Sequence, residues 1–365
     1  MTPPRHVIVC GAGVVGASVA YFLAQRGVAV TVVERTGVAC AASGKSGGFL
    51  ALDWCDNSPV GPLARASFAL HARLAREIRA DYGYRRMDTY MLAARETGAM
   101  RGGHRAPAPG WLDGAAVVAG ALGSTDTTAQ VHPAQFTTAL LDEACARGAA
   151  LRLGVVERVA HRDRAVAGVV VDGQTLEADA VVAAMGPWTG RVGGLSLPAV
   201  HGLKGYSVTL AAADVPADAL FVDYRTADGH ALEPEIIPRP DGTVYVCGMA
   251  DLQPLPESAE GVEVSEAGCA TLARAAARVS TKLAAAAIER RQACYRPVTD
   301  DGLPLIGRVP GLAGAYVATG HGPWGMLNAP ATGLALAELI ATGAAASVDL
   351  RPFDPARRPA ATVYH

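Results

Sequence analysis

One turn near the start of the chain constrains its fold more than any other feature. His6–Cys10 (HVIVC) is a short buried-strand pattern that runs directly into Gly11-Ala-Gly13-Val-Val-Gly16. Ser18 to Arg26 then carries apolar residues at helical spacing, and Gly27 stands where a C′ glycine would end that helix. Val28–Val33 reads as a second strand closing on Glu34. A lone GxGxxG also arises from packing, but here the strand, the helix, the second strand and the acid about 20 residues on are all present. The pattern predicts a βαβ unit whose turn cradles a dinucleotide.

Each residue of the turn has a physical task. Gly11 allows the sharp turn, Gly13 lets a pyrophosphate approach the backbone, and Gly16 lets helix and strand pack closely. Val14 and Val15 lie between them at the helix N-terminus, whose free N–H groups and positive dipole end favour phosphate. Glu34 would accept both ribose hydroxyls and would repel a 2′-phosphate, which leaves FAD or NAD and disfavours NADP. Downstream, Cys40–Phe49 (CAASGKSGGF) is a small-residue loop holding Ser43, Gly44, Lys45, Ser46, Gly47 and Gly48. A nicotinamide Rossmann domain usually continues with further βα units. This chain breaks instead into Gly/Pro-rich sequence and a helix over Leu63–Arg79.

Composition removes several function classes. With 50% hydrophobic residues, 18% charged residues and a net charge of −2, the chain is globular and has no basic footprint for nucleic acid. The seven cysteines form no CxxC and have no His pair at zinc spacing, so a disulfide scaffold and a structural zinc are both unexpected. That usage suits a reducing, cytoplasmic setting. The stretch Val7–Ala24 is cut by glycines, and Ala329–Val348 is Ala/Gly-rich with Glu338 inside it. Neither offers the roughly 20 strongly apolar residues of a membrane span, so no membrane is expected. The oligomeric state stays open.

Along the rest of the chain, Ala80–Asp126 with its Gly102–Gly110 loop looks like a substructure outside the nucleotide fold. Pro133 opens a helix to Arg147, stopped by Gly148. Leu151–Val156, Val166–Val171, Gln174–Ala178 and Asp179–Ala184 read as strands. Leu203–Leu210, Ala231–Pro238 and Thr243–Cys247 suggest an antiparallel sheet, with Asp241-Gly242 as a turn. Val262–Glu289 reads as mainly helical, Tyr316–Ala318 as a last strand, and Pro330–Thr342 as a last helix.

Together these pieces resemble the D-amino-acid oxidase superfamily of FAD-dependent oxidoreductases, which includes glycine oxidase and monomeric sarcosine oxidase. The likeness is carried by the GAGVVG turn with Glu34-Arg35, the Ala42-Ser43…Gly47-Gly48 loop, Val131-His-Pro133, Ala183–Trp188 (AAMGPW), Leu203-Lys-Gly205 and Asp241–Gly248. Its most specific piece is Arg296–Gly307 (RPVTDDGLPLIG), followed by Gly320-His321…Gly325 and Pro330-Ala-Thr-Gly333. That C-terminal block looks nearest to a little-characterised fungal, plant and algal branch. The resemblance implies an α/β fold: a Rossmann-like FAD-binding domain (1–79, 127–195 and 294–350), a mixed antiparallel-sheet substrate domain (80–126 and 196–293) and a tail (351–365). The implied reaction is oxidation of a C–N bond in an amine or amino acid by hydride transfer to the flavin, with O2 or another electron acceptor. An FAD dehydrogenase of a hydroxy acid and a non-enzymatic NAD-binding sensor are the alternatives. Helix Pro330–Thr342 is expected to point its N-terminus at the flavin pyrimidine.

The resemblance also implies site residues. Arg296 matches the arginine that holds the substrate carboxylate in glycine oxidase, and its guanidinium fork suits that contact. The alternative is a salt bridge to Asp300 or Asp301. Glycine oxidase's second arginine is absent, because Pro323 and Trp324 lie there. Trp324 offers an aromatic wall for a bulkier or cationic amine, or else packs under the flavin. His321 is assigned to cofactor contact rather than to base catalysis, and Gly186, Trp188, Gly320, Gly322, Gly325 and Met326 to the flavin side. Lys45 is either a cation near the flavin or a surface lysine. Tyr206, Tyr224, Tyr245 and Tyr295 are candidates for the pocket wall. Cys294 falls in register with the cysteine that carries covalent flavin in monomeric sarcosine oxidase; the expectation is nonetheless non-covalent FAD.

Overall fold

A computed structural model of the protein describes residues 3–100, 103 and 106–357. Residues 102, 104 and 105 of the expected Gly102–Gly110 loop and residues 358–365 of the tail lie outside them. The βαβ unit is the spine of the fold. Strands His6–Cys10 and Ala29–Glu34 pair in parallel, with helix Val14–Ala24 between them. The helix begins on the glycine turn itself rather than at Ser18, whose buried hydroxyl donates back to Val14 O at 2.7 Å. Gly11 sits at φ +107°, and a Cβ on Gly16 would lie 1.9 Å from Gly11 O, so neither position admits a side chain.

The sheet grows outward from this pair to six strands. Their order is Leu305–Arg308, Ala315–Thr319, Ala180–Ala183, His6–Cys10, Ala29–Glu34 and Ala150–Leu153, all parallel except the first pair. One face is covered by helices Val14–Ala24, Gly61–Glu77, Pro133–Ala146 and Gly325–Thr342. Phe22, Leu23, Leu63, Phe136, Leu140 and Leu336 are fully buried between these layers, each stabilising the domain by roughly 1.5–3 kcal/mol. A second sheet of eight strands follows the order Ala287–Thr299, Val200–Ala211, Thr243–Asp251, Glu235–Pro238, Asp218–Arg225, Asp88–Arg95 and Val117–Gly123, with Ala231–Leu232 beside Asp218–Arg225. It is antiparallel apart from the pair Asp218–Arg225 and Asp88–Arg95. This is the expected α/β class, a Rossmann-like layer joined to a mixed sheet.

Several elements differ from the sequence reading. The Ala-rich Val262–Glu289 stretch is helical only over Glu266–Ala277 and Thr281–Ala285, and from Ala287 it becomes a strand that runs to Thr299. Helix propensity loses there because Ala287 pairs with Ala211 and continues a long antiparallel ladder. Strands Val156–Arg162 and Asp218–Arg225 went unread because charged side chains interrupt their apolar alternation. The last helix begins at Gly325, not at Pro330, which lies inside it. Pro330 has no N–H to give Met326 O. The gap is mended from helix Gly61–Glu77, where His71 Nε2–H reaches Met326 O at 3.0 Å and Leu327 O at 3.2 Å, while Ser67 Oγ accepts from the Ala331 N–H at 3.0 Å.

Candidate active site

The carboxyl ends of the parallel strands and one face of the mixed sheet enclose a cavity of about 640 Å3. Its first half is built by the turn. Gly11, Gly13, Val14 and Val15 line it, and Ser43 Oγ accepts the Val14 N–H at 2.9 Å. Glu34 also faces the cavity; its two carboxylate oxygens accept the Ala12 N–H at 2.8 Å and the Thr36 N–H at 3.0 Å. Cys40 Sγ–H also reaches Oε1 at 3.9 Å, while Oε2 keeps a second lone pair, so the carboxylate is fixed in place and can still accept a hydroxyl. Arg35 lines the cavity and pairs with Glu257 at 3.3 Å. The N-cap residues of the two helices that open on the cavity, Gly13 and Trp324, supply no side-chain acceptor. Two positive helix ends therefore meet one space, an arrangement suited to a group with anionic parts.

The 43–48 loop is clamped from the mixed sheet. Tyr245 O–H donates to Lys45 O at 3.0 Å, a guanidinium N–H of Arg239 donates to Ser46 O at 2.6 Å, and Arg239 lies over the Tyr245 ring. Lys45 Nζ is not a surface cation: it donates to Ala293 O at 3.2 Å, beside Cys294. Ser46 Oγ is buried without a partner on the cavity wall, a polar atom left for an incoming group. Gly47, Gly48, Gly186, Trp188, His321, Gly322, Gly325 and Met326 line the same wall. Trp188 Nε1–H donates to Pro256 O at 2.9 Å, and Thr319 O–H to Gly186 O at 2.8 Å. The dimensions, the fixed Glu34 carboxylate, the unpartnered Ser46 Oγ and the paired helix ends fit an FAD.

Three expected cofactor residues stand behind the wall rather than on it. Gly16 packs on Gly11, a Cβ on Gly44 would meet Ala39 O at 2.1 Å, and a Cβ on Gly320 would meet Thr299 Cγ2 at 2.8 Å. These glycines allow close packing and do not line the cavity. Of the four tyrosines, Tyr206 and Tyr245 line it, whereas Tyr224 is fully buried elsewhere and Tyr295 O–H donates to Pro254 O at 2.8 Å.

The second half of the cavity holds Arg296, Trp324 and Cys294. The acids offered as partners for Arg296 are occupied elsewhere: Asp300 faces His201 at 2.7 Å, and Asp301 pairs with Arg357 at 2.7 Å. Arg296 makes no ion pair with them among the described residues. Trp324 is one wall of an aromatic box that includes Phe49, Trp54 and Phe221. Trp54 lies 6.2 Å from Trp324 edge-on, 5.1 Å from Phe49 and 4.9 Å from Phe221. Sequence reading missed Phe49, Trp54 and Phe221, and also Glu235 and Cys247 on the sheet wall. Four of them stand singly on strands and Trp54 lies in a turn, so no shared sequence pattern marks them. Burial pushes the Cys294 thiol up, with Arg296 and Lys45 opposing, so the group stays un-ionised near neutral pH.

His321 is buried, its Nε2 3.1 Å from Thr332 Oγ1, and burial pushes its pKa down to about 4. It is neutral at pH 7 and tied to the last helix, which suits contact with a bound group better than proton transfer. No group of three or more His, Cys, Asp or Glu side chains that could hold a metal ion occurs among the described residues. No described helix is long and apolar enough to cross a membrane.

Comparison with known proteins agrees with this geometry. The profile of the FAD dependent oxidoreductase (DAO) family matches residues 6–339. A putative oxidoreductase of Schizosaccharomyces pombe is 31% identical, over 97% of this chain and 99% of its own length. Glycine oxidase of Geobacillus kaustophilus is 30% identical over 98% of both chains. A solved structure of glycine oxidase from that organism superposes with a TM-score of 0.81 at 27% identity, covering 98% of this chain and 100% of the other. A match running from the first strand into the last helix sets aside a non-enzymatic NAD sensor, which would need only the first βαβ unit. The chain belongs to the DAO family of FAD-dependent oxidoreductases.

Proposed function

We propose that the protein oxidises a C–N bond of an amine or amino acid to an imine, which water then hydrolyses, with O2 as the electron acceptor. The observation that carries this reading is Arg296, which lines the cavity beside the aromatic box and forms no ion pair with Asp300, Asp301 or Glu235 among the described residues. FAD, when bound, supplies the two-electron acceptor for the hydride equivalent. In this reading Gly13, Val14 and Val15 hold its pyrophosphate and Glu34 its ribose, while Ser46, Trp188, His321 and Met326 flank the flavin. Cys294 forms no bond to it, because attachment through a thiolate is opposed by the burial that keeps the thiol protonated. The cavity then has a nucleotide end and a substrate end. This supports a division into the FAD-binding segments 1–79, 127–195 and 294–350 and the substrate segments 80–126 and 196–293, the chain crossing between them within strand Ala287–Thr299.

Arg296 would take the substrate carboxylate in a bidentate contact, which orients the carbon that loses hydride. The glycine oxidase relative supports an amino substrate and an oxidase reaction. The test is anaerobic bleaching of the flavin by amines, amino acids and hydroxy acids, followed by assay of H2O2 in air. An amine or amino acid should bleach it, and Arg296→Ala should cost about 2–4 kcal/mol in kcat/KM for carboxylated substrates only. Bleaching by hydroxy acids alone would move the assignment to a hydroxy-acid dehydrogenase.

A further inference from the structure

The mixed sheet carries a carboxyl that the proposed function does not use. Glu235 lines the cavity, and its cross-strand partners are Phe221 on one side and Cys247 on the other. Directly paired residues project from the same face, so the carboxyl emerges between one wall of the aromatic box and a thiol. The Cys247 thiol hydrogen-bonds the carboxyl, and Arg296 on Ala287–Thr299 acts on it across the same space, yet no ion pair joins Arg296 to Glu235 among the described residues. A carboxylate withdrawn from bulk water without a cation in contact costs several kcal/mol. An opposite charge delivered by a ligand would remove that cost.

We propose that Glu235 receives the substrate's amino group. A zwitterionic amino acid with a bulky apolar or aromatic side chain would then be held at three points: its carboxylate at Arg296, its ammonium at Glu235 and its side chain in the Phe49–Trp54–Phe221–Trp324 box. This deepens the function proposed above and rests on it. The aromatic faces reinforce the choice, since their negative quadrupoles attract a cation placed near them.

Glu235 can then act on the ammonium it holds. An N–H bond breaks, its electron pair stays on nitrogen, and the proton forms an O–H bond on the carboxylate. Ammonium and carboxylate become amine and carboxylic acid, and the lone pair becomes available for the C=N bond as hydride leaves carbon. Burial raises the Glu235 carboxyl above its ordinary value, with Arg296 and the Cys247 hydrogen bond opposing, which makes this transfer less uphill than to a solvated glutamate. The other titratable groups around it are Cys247 and Tyr245 on the neighbouring strand, Cys294 on Ala287–Thr299 and Lys45 in the loop. Burial keeps the two thiols and the phenol neutral, leaving Arg296 and Lys45 as the charged ones.

The test titrates FAD-loaded enzyme with each enantiomer of phenylalanine and with 3-phenylpropionate, which keeps the ring and carboxylate but lacks the amine. The flavin absorbance reports binding. Wild type should bind one phenylalanine enantiomer more tightly than 3-phenylpropionate. Glu235→Gln, and equally Glu235→Ala should the first fold poorly, should weaken that phenylalanine at least tenfold and change 3-phenylpropionate less than threefold. The rate of flavin reduction by phenylalanine should show an acid limb above the ordinary glutamate value in wild type, and Glu235→Gln should lose that limb. Equal weakening of both ligands would make Glu235 a support for Arg296 and overturn the proposal. So would wild-type binding of 3-phenylpropionate as tight as phenylalanine, or an unchanged acid limb. If no amine bleaches the flavin while phenylalanine still binds in a Glu235-dependent way, the proposed reaction fails and the ammonium site stands.

Discussion

Replacing His71 by leucine tests whether the proline-broken helix is held to the cavity from outside. His71 is fully buried, and burial pushes its pKa from the ordinary 6.5 to about 4, so the ring is neutral in the fold. Its Nε2 must carry the proton, because both groups in reach are carbonyls, Met326 O and Leu327 O. Leucine keeps most of the volume but gives no donor, and Met326 O has no N–H of Pro330 to fall back on. One orphaned buried acceptor costs about 1–3 kcal/mol, taken here as about 2 at pH 7.5. The penalty should fade in acid. Between pH 6.5 and 4 the unfolded chain binds a proton at His71 that the native ring refuses, so native stability drops as pH falls through this window. At pH 5 that is about 1.5 units at 1.36 kcal/mol each, or about 2 kcal/mol, borne by wild type and not by the variant. Paired urea titrations followed by tryptophan fluorescence should therefore show a gap of about 2 kcal/mol at pH 7.5 and about zero at pH 5. Equal gaps at the two pH values would mean that His71 does not stay neutral in the fold, and the account of the mended helix would be wrong.

Four further outcomes follow from the site. His321, pushed down to about 4 in the same way, should give wild type a second proton of acid sensitivity between pH 6.5 and 4, and His321→Asn should lower that slope in a pH series of unfolding curves. Gly16→Ala drives a Cβ to 1.9 Å from Gly11 O and should prevent folding, whereas Gly13→Ala meets only the movable Ser43 Oγ at 3.1 Å and should yield folded protein with weakened FAD binding; circular dichroism and flavin content separate the two. Glu34→Gln turns an amide N–H toward a backbone N–H, so one of its two backbone bonds is lost, and FAD affinity should fall at least tenfold in a titration of apoprotein. Acid precipitation should leave the yellow colour in the supernatant; a yellow pellet that becomes colourless in Cys294→Ala would establish a covalent flavin.

What the sequence disclosed and what it hid divide along one physical line. The turn, its helix and Glu34 were legible because their chemistry is local: glycines, strand and acid lie within one βαβ unit, and each is required by its immediate neighbours. Arg296 and Trp324 were legible through motif likeness, and the structure brings both to one cavity. Pro330 misled for a local reason as well, since proline marks a helix start unless a distant group mends the missing bond, and His71 is such a group. Glu235 and the other three residues of the aromatic box, Phe49, Trp54 and Phe221, have no such signature. Residues 49, 54, 221, 235 and 324 meet only because strand Phe49–Ala51 with the turn after it, the Gly322–Trp324 turn before the last helix and two strands of the mixed sheet converge on one space. The nucleotide end rests on one continuous βαβ segment, so its residues are spelled out in a short run. The proposed substrate end is assembled from single residues on separate elements. If the proposed reaction holds, specificity lies where sequence patterns are weakest, and Glu235, the half-buried acid that opens a four-residue strand, is where it should be sought first.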